Sequence, residues 1–172
     1  MKRIKTIILC ITATFYILCA CTKQSSSENK EKEEKETQIQ TQEAYYYKYE
    51  DQKIYITQKI EEAVAALGDN YEYFEAPSCA AQGMDMFYYY QNLTVRANEI
   101  EGEKVVTEIY FKNDTVATPE GIRITSSYAD VIAKYGNDYK TNGTALEYIK
   151  GDTLLLIDMK DGKVAAVTYQ YK

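Results

Sequence analysis

The sequence contains no histidine and no tryptophan, and only two of its 172 residues are proline. Without histidine the chain lacks the side chain that titrates near neutral pH, the usual general base, the usual activator of a thiol and the commonest metal ligand. Cysteine is nearly as scarce: of the four, Cys10, Cys19 and Cys21 lie in or beside one apolar run near the N-terminus. A Cys-x-Cys metal site at Cys19 and Cys21 needs further soft ligands, and the rest of the chain supplies only Cys79 and Cys10. Phosphate-cradling glycine loops and calcium loops of the EF-hand type are missing as well. Carboxylates are plentiful, yet Glu61-Glu62, Glu99-Glu101-Glu103 and Asp158-Asp161 fall on predicted helix faces and turns, where solvated charge is ordinary. The expectation is a protein that is not an enzyme and uses no metal or cofactor.

What is present begins with a basic head, Lys2, Arg3 and Lys5, followed by an apolar run over residues 6–20. A bilayer core about 30 Å thick takes roughly 20 apolar residues to cross, so a run of this length fits a secretory signal peptide better than an uncleaved span. Its end, Leu18-Cys19-Ala20-Cys21, resembles a bacterial lipobox. That resemblance implies a diacylglyceryl group on Cys21, cleavage after residue 20, and a protein held on the extracytoplasmic face of the cell membrane.

Residues 22–44, TKQSSSENKEKEEKETQIQTQEA, hold one strongly apolar residue, Ile39, and cannot bury enough surface to offset their ordering entropy. With the lipidated Cys21 they make up a polar linker over 21–44, whose ends a flexible coil would separate by about 25–29 Å. Loss of the leader removes three positive charges and takes the formal net charge from −6 to about −9. Phosphate backbones repel such a surface, so nucleic acid is not an expected partner and the membrane is held by lipid.

Residues 45–172 are expected to fold as one domain. ITQKIEEAVAALG (56–68) and ITSSYADVIAKYG (124–136) align without a gap. Ile60, Ala63, Val64 and Leu67 in the first, and Tyr128, Val131, Ile132 and Tyr135 in the second, fall at i, i+3, i+4 and i+7, the spacing of an amphipathic helix. Thr57 and Thr125 stand at candidate N-caps, with Ser127 and Asp130 as an alternative capping box, and Gly68 and Gly136 at the exits. Strand-like segments follow each helix, with turns at Gln91-Asn92, Glu101-Gly102, Lys150-Gly151 and Asp161-Gly162. Short additional strands are expected near 71–75 and 138–142. The predicted fold is α+β: a tandem repeat of helix plus antiparallel strands, copies about 54–111 and 122–171, forming one sheet with helices on one face.

With those segments in view, the pattern resembles that of β-lactamase inhibitory proteins and of the small lipoproteins of the outer-membrane assembly machinery. SCAAQGMD, TPEGIRITSSYADVIAKYG and YIKGDTLLLIDMKDGKVAAVTY resemble, more closely, a group of uncharacterised lipoproteins of clostridia-type Gram-positive bacteria. Folds of this kind serve mainly as protein-binding surfaces, so the resemblance implies a binding module. One departure is Thr125, which stands where such proteins often place glycine ahead of the helix.

Tyrosine is the abundant residue, 18 in all, with YYYKY at 45–49 and FYYY at 87–90. Its rigid ring and polar tip suit interfaces as well as cores. Side chains alternate along a strand, so Tyr89 must face away from Tyr88 and Tyr90, and Leu154 and Leu156 away from Leu155, Ile157 and Met159. A sheet covered on one side should show polar residues on the other, and here both sets are apolar. Tyr88, Tyr89, Tyr90, Leu154 and Leu156 are therefore candidates for a surface that holds a protein or peptide. A glycan or small-ligand binder with tyrosine platforms is the alternative. Cys79, with only acidic residues near it in sequence, is expected to be a buried structural thiol, an intermolecular disulfide being the other reading.

Overall fold

The structure, a computed structural model, describes residues 44–79 and 83–172. The expected signal peptide, Cys21 and the expected linker up to residue 43 lie outside the described residues. In chain order the elements are β1 (Tyr46–Tyr49), β2 (Gln52–Tyr55), α1 (Ile60–Leu67), β3 (Glu72–Pro77), β4 (Met84–Tyr89), β5 (Leu93–Ile100) and β6 (Glu103–Phe111). Then come α2 (Tyr128–Tyr135), β7 (Lys140–Asn142), β8 (Ala145–Lys150), β9 (Thr153–Lys160) and β10 (Lys163–Tyr171).

The expected α+β tandem repeat is not what forms. The described residues are mostly β, 52 % strand against 13 % helix, and their centre is one eight-stranded antiparallel sheet of order β3-β4-β5-β6-β10-β9-β8-β7. Two physical causes move it from the expected class. Each helix is only eight residues long, because the segments read as opening turns are extended and bonded to the sheet. Thr57 donates its N–H to the Val106 carbonyl at 2.8 Å and Gln58 accepts from Val106 N–H at 2.9 Å; Thr125 and Ser126 bond Val164 in the same manner, both at 2.8 Å. Residues 46–55, in addition, form the β1–β2 hairpin, which local sequence patterns do not announce.

Those bonds hold Thr57 and Thr125 at φ of 71° and 79°, a region that a β-branched side chain rarely occupies. Neither threonine caps a helix. The capping box at α2 is instead Ser127 with Asp130: the Ser127 hydroxyl oxygen accepts from Asp130 N–H at 3.1 Å, and the Asp130 carboxylate accepts from Ser127 N–H at 3.0 Å. At the exits, Gly68 and Gly136 combine positive φ with ψ near 180°, a conformation open essentially to glycine alone.

One face of the sheet is covered by the hairpin and both helices. Tyr47 of the hairpin meets the Phe111 ring edge-on at 5.5 Å. The Tyr90 hydroxyl donates to the Gly68 carbonyl behind α1, and the Tyr148 hydroxyl to the Gly136 carbonyl behind α2. Between them run the buried Leu93, Val95, Ile109, Phe111, Val167, Tyr169, Leu155 and Ile157. Ile60, Ala63 and Leu67 turn the buried side of α1 to this core, and Val131 that of α2, whereas Tyr128 is 41 % exposed.

Candidate functional site

The opposite face carries the candidate site, since among the described residues no element packs upon it. Cross-strand register assembles it into two rows. The first crosses seven strands as Phe74, Phe87, Arg96, Glu108, Gln170, Leu154 and Ile149. The second crosses all eight, as Glu72, Tyr89, Thr94, Tyr110, Thr168, Leu156, Glu147 and Lys140. Side-chain alternation on each strand places these residues together, and antiparallel pairing brings direct neighbours to within about 5.5 Å between Cβ atoms.

The sequence candidates divide between the two faces. Tyr89, Leu154 and Leu156 lie on the uncovered one. Tyr88 and Tyr90 point the other way: Tyr90 is buried, and Tyr88 meets Tyr71 and Tyr73, each at 5.1 Å between ring centroids. Leu155 and Ile157 are fully buried, so they form the core set of β9. Phe74, Phe87 and Tyr110 belong to the uncovered face and were not among the candidates. Alternation from Tyr89 pointed to Phe87, but Phe74 and Tyr110 join it only through register.

Aromatic and apolar residues on this face stay accessible: Phe74 is 53 % exposed, and Tyr110, Ile149 and Tyr89 are each between 36 and 39 % exposed. The Phe87 and Tyr89 rings lie nearly parallel, 5° apart in plane with centroids at 5.9 Å. Arg96 stands over Phe87 with its guanidinium carbon 5.7 Å from the ring centroid.

A polar cluster interrupts the apolar surface. Arg96 pairs with Asp85 at 2.8 Å. Asn98 donates to Asp85 and accepts from the Thr107 hydroxyl, the latter at 2.8 Å. The bulge between Arg96 and Ala97 in the β5–β6 ladder creates this cluster, because it brings Thr107 beside Asn98 on a strand that otherwise alternates. Burial works to raise the Asp85 carboxyl, but hydrogen bonds from Arg96, Asn98 and Ser78 outweigh it and hold the group below the usual carboxylate range. Glu108 is affected in the opposite direction: burial pushes its carboxyl up, the Arg96 charge offsets part of that, and Asp85 adds to it.

A shallow hollow of about 300 Å³ opens here, lined by Arg96, Asn98, Thr107, Glu108 and Gln170 among others. The Arg96 Nε is buried without an acceptor. The exposed part of the Arg96 guanidinium and the side chains around it put a polar group in the middle of the apolar surface. Among the described residues no group of three acidic or thiol side chains is arranged to hold a metal ion.

Cys79 does not fit its expected role: its thiol is free and exposed just beyond β3. A buried structural thiol is thereby overturned, because the chain leaves the sheet at Pro77 before reaching it. None of the described helices is long and apolar enough to cross a membrane. Compared with known proteins, the chain matches no family model, no curated protein and no solved structure.

Proposed function

We propose that this chain is a lipid-anchored interaction module on the extracytoplasmic face of the cell membrane, tethered through a diacylglyceryl group on Cys21, that holds a protein or peptide on the uncovered face of its sheet. The reading is of a binding protein, not an enzyme, and it assigns no role to nucleic acid. The observation that carries it is the uncovered face itself. A solvated sheet face is ordinarily polar, whereas Phe74, Phe87, Tyr89, Tyr110, Leu154, Leu156 and Ile149 are spread here over five of the eight strands. Aromatic side chains with a polar centre, an arginine among them, make up the composition of protein contact surfaces. Two acyl chains, at about 0.8 kcal/mol per buried methylene, would anchor the protein stably.

The resemblance of Leu18-Cys19-Ala20-Cys21 to a bacterial lipobox supports the membrane anchor in this reading. The parallel Phe87 and Tyr89 rings favour a second reading, a platform for the flat face of a sugar.

A photo-cross-linking residue at position 156 on living cells tests the first reading, with position 134 on α2 as the control. Adducts to one protein from position 156 and none from 134 are expected. Absence of adducts at 156, together with glycan-array binding that Tyr89→Ala removes, would replace the protein partner by a sugar. The anchor is checked separately: Cys21→Ser should accumulate as precursor, and mass spectrometry of the wild type should find residues 1–20 removed.

A further inference from the structure

Strand β3 is one of the two outer strands of the sheet, with β7 at the other edge, and among the described residues nothing pairs with its free side. Its backbone shows which groups point outward. Ser78 N–H donates to the Gly83 carbonyl at 3.0 Å, and Ser78 and Gly83 continue the register in which Pro77 faces Met84. In an antiparallel ladder the bonded pairs alternate, so Phe74 and Glu72 direct their N–H and C=O groups inward to β4. Tyr73 and Glu75 direct theirs outward. Native sheets usually blunt such an edge, and here that falls to the carboxylates and to Pro77, which offers no donor.

Side chains on the free edge have a chemistry of their own. Tyr73 and Glu75 project toward the same side of the sheet as Tyr88, where Tyr71, Tyr73 and Tyr88 form a contiguous aromatic group. Tyr73 donates to the Glu75 carboxylate at 2.5 Å. Burial above all raises the Tyr88 hydroxyl, followed by Tyr71 and then by the carboxylates of Glu61, on the first turn of α1, and Glu75. Two carboxylates beside three aromatic rings, one of them 48 % exposed, form an environment that attracts a cation. On the other side of the same strand Phe74, at 53 % exposure, packs beside Phe87 at the start of the first row of the uncovered face.

We propose that β3 is an addition site for an extended segment of a partner protein that carries lysine or arginine at alternate positions with apolar residues between them. Its backbone pairs with the outward N–H and C=O groups of Tyr73 and Glu75. Residues opposite Tyr73 and Glu75 send their basic side chains over the tyrosine group beside Glu75, and the intervening residues extend the Phe74 and Phe87 contact outward. The inference rests on the reading of this domain as a protein-binding module and adds both the point of attachment and the charge of the partner.

The test uses the full chain in a zwitterionic detergent and a synthetic hexapeptide alternating lysine and valine. Binding should slow hydrogen exchange in the peptide fragment containing the Tyr73 and Glu75 amides, and Tyr73→Ala combined with Glu75→Gln should weaken it at least tenfold. The glutamate–valine hexapeptide should not bind, nor should a lysine–valine peptide N-methylated on its pairing edge. Equal binding of the glutamate peptide would overturn the charge assignment, and equal binding of the methylated peptide the strand addition. Protection of the same amides without peptide, with dimers in sedimentation, would make the occupant a second copy and overturn the proposal. Binding lost with Leu156→Ser but kept in the Tyr73/Glu75 variant would leave the uncovered face as a binding site and remove β3 from it. No binding by either peptide would overturn the edge site, while the cross-link at position 156 reports independently on the face.

Discussion

Leu155→Ala and Leu156→Ser, made at neighbouring positions of β9, test whether the sheet has one covered and one uncovered face. Leu155 is fully buried, paired across strands with Tyr148 on one side and Tyr169 on the other. Removing such a leucine side chain costs about 2–5 kcal/mol, from lost transfer energy and the cavity left among neighbours that relax only in part. For a domain of this size about 4 °C is lost per kcal/mol, so Leu155→Ala should melt about 8–20 °C below the wild type. Leu156 lies on the uncovered face between Thr168 and Glu147, where solvent already reaches it. Leu156→Ser should cost about 1 kcal/mol or less, a shift within about 4 °C. Thermal unfolding followed by far-ultraviolet circular dichroism reads both. Equal losses would show that both faces are covered, and the proposed binding surface would lose its physical basis.

Three further outcomes are expected. Burial raises the Glu108 carboxyl, so its ionisation opposes folding once the pH exceeds the group's unfolded-state value; Glu108→Gln should raise the melting temperature at pH 7, and the gain should fade as the pH falls until the wild-type carboxyl is protonated. A gain that instead grew in acid, in a melting series between pH 4 and 8, would reverse the assignment. Thr125→Gly should stabilise the domain by about 0.5–1 kcal/mol, because relief of positive-φ strain exceeds the entropy cost of glycine; denaturant unfolding measures it, and destabilisation would mean that the threonine methyl packs usefully. The exposed Cys79 thiol should react with a maleimide in the folded protein, and Cys79→Ala should change stability by no more than about 0.5 kcal/mol, whereas protection until unfolding would restore a buried thiol.

Much of the sheet was legible because the signals for it are local. LTVRANEI alternates apolar with polar residues, TLLLIDM is a short apolar run between turns, and Glu101-Gly102 and Asp161-Gly162 bring positive φ at both positions to the turns that join β5 to β6 and β9 to β10. Any strand geometry separates Leu154 and Leu156 from Leu155 and Ile157, so that division followed from sequence alone. The expected leader, lipobox and polar linker rest likewise on composition and order, and lie outside the described residues.

Tertiary structure decided what depends on residues far apart in the chain. Thr57 and Thr125 look like helix caps to their neighbours, but their N–H groups are taken by Val106 and Val164, some 50 and 40 residues away, and the strand-like pairing shortens both helices. The hairpin over residues 46–55 gains its place from Tyr47 against Phe111, a contact that no local pattern announces. Which leucine set is buried was decided by the face on which the hairpin and helices settle. The row from Phe74 to Ile149 exists only through the register of seven strands, and a shift of one residue in any pairing would turn that strand's contribution to the opposite face.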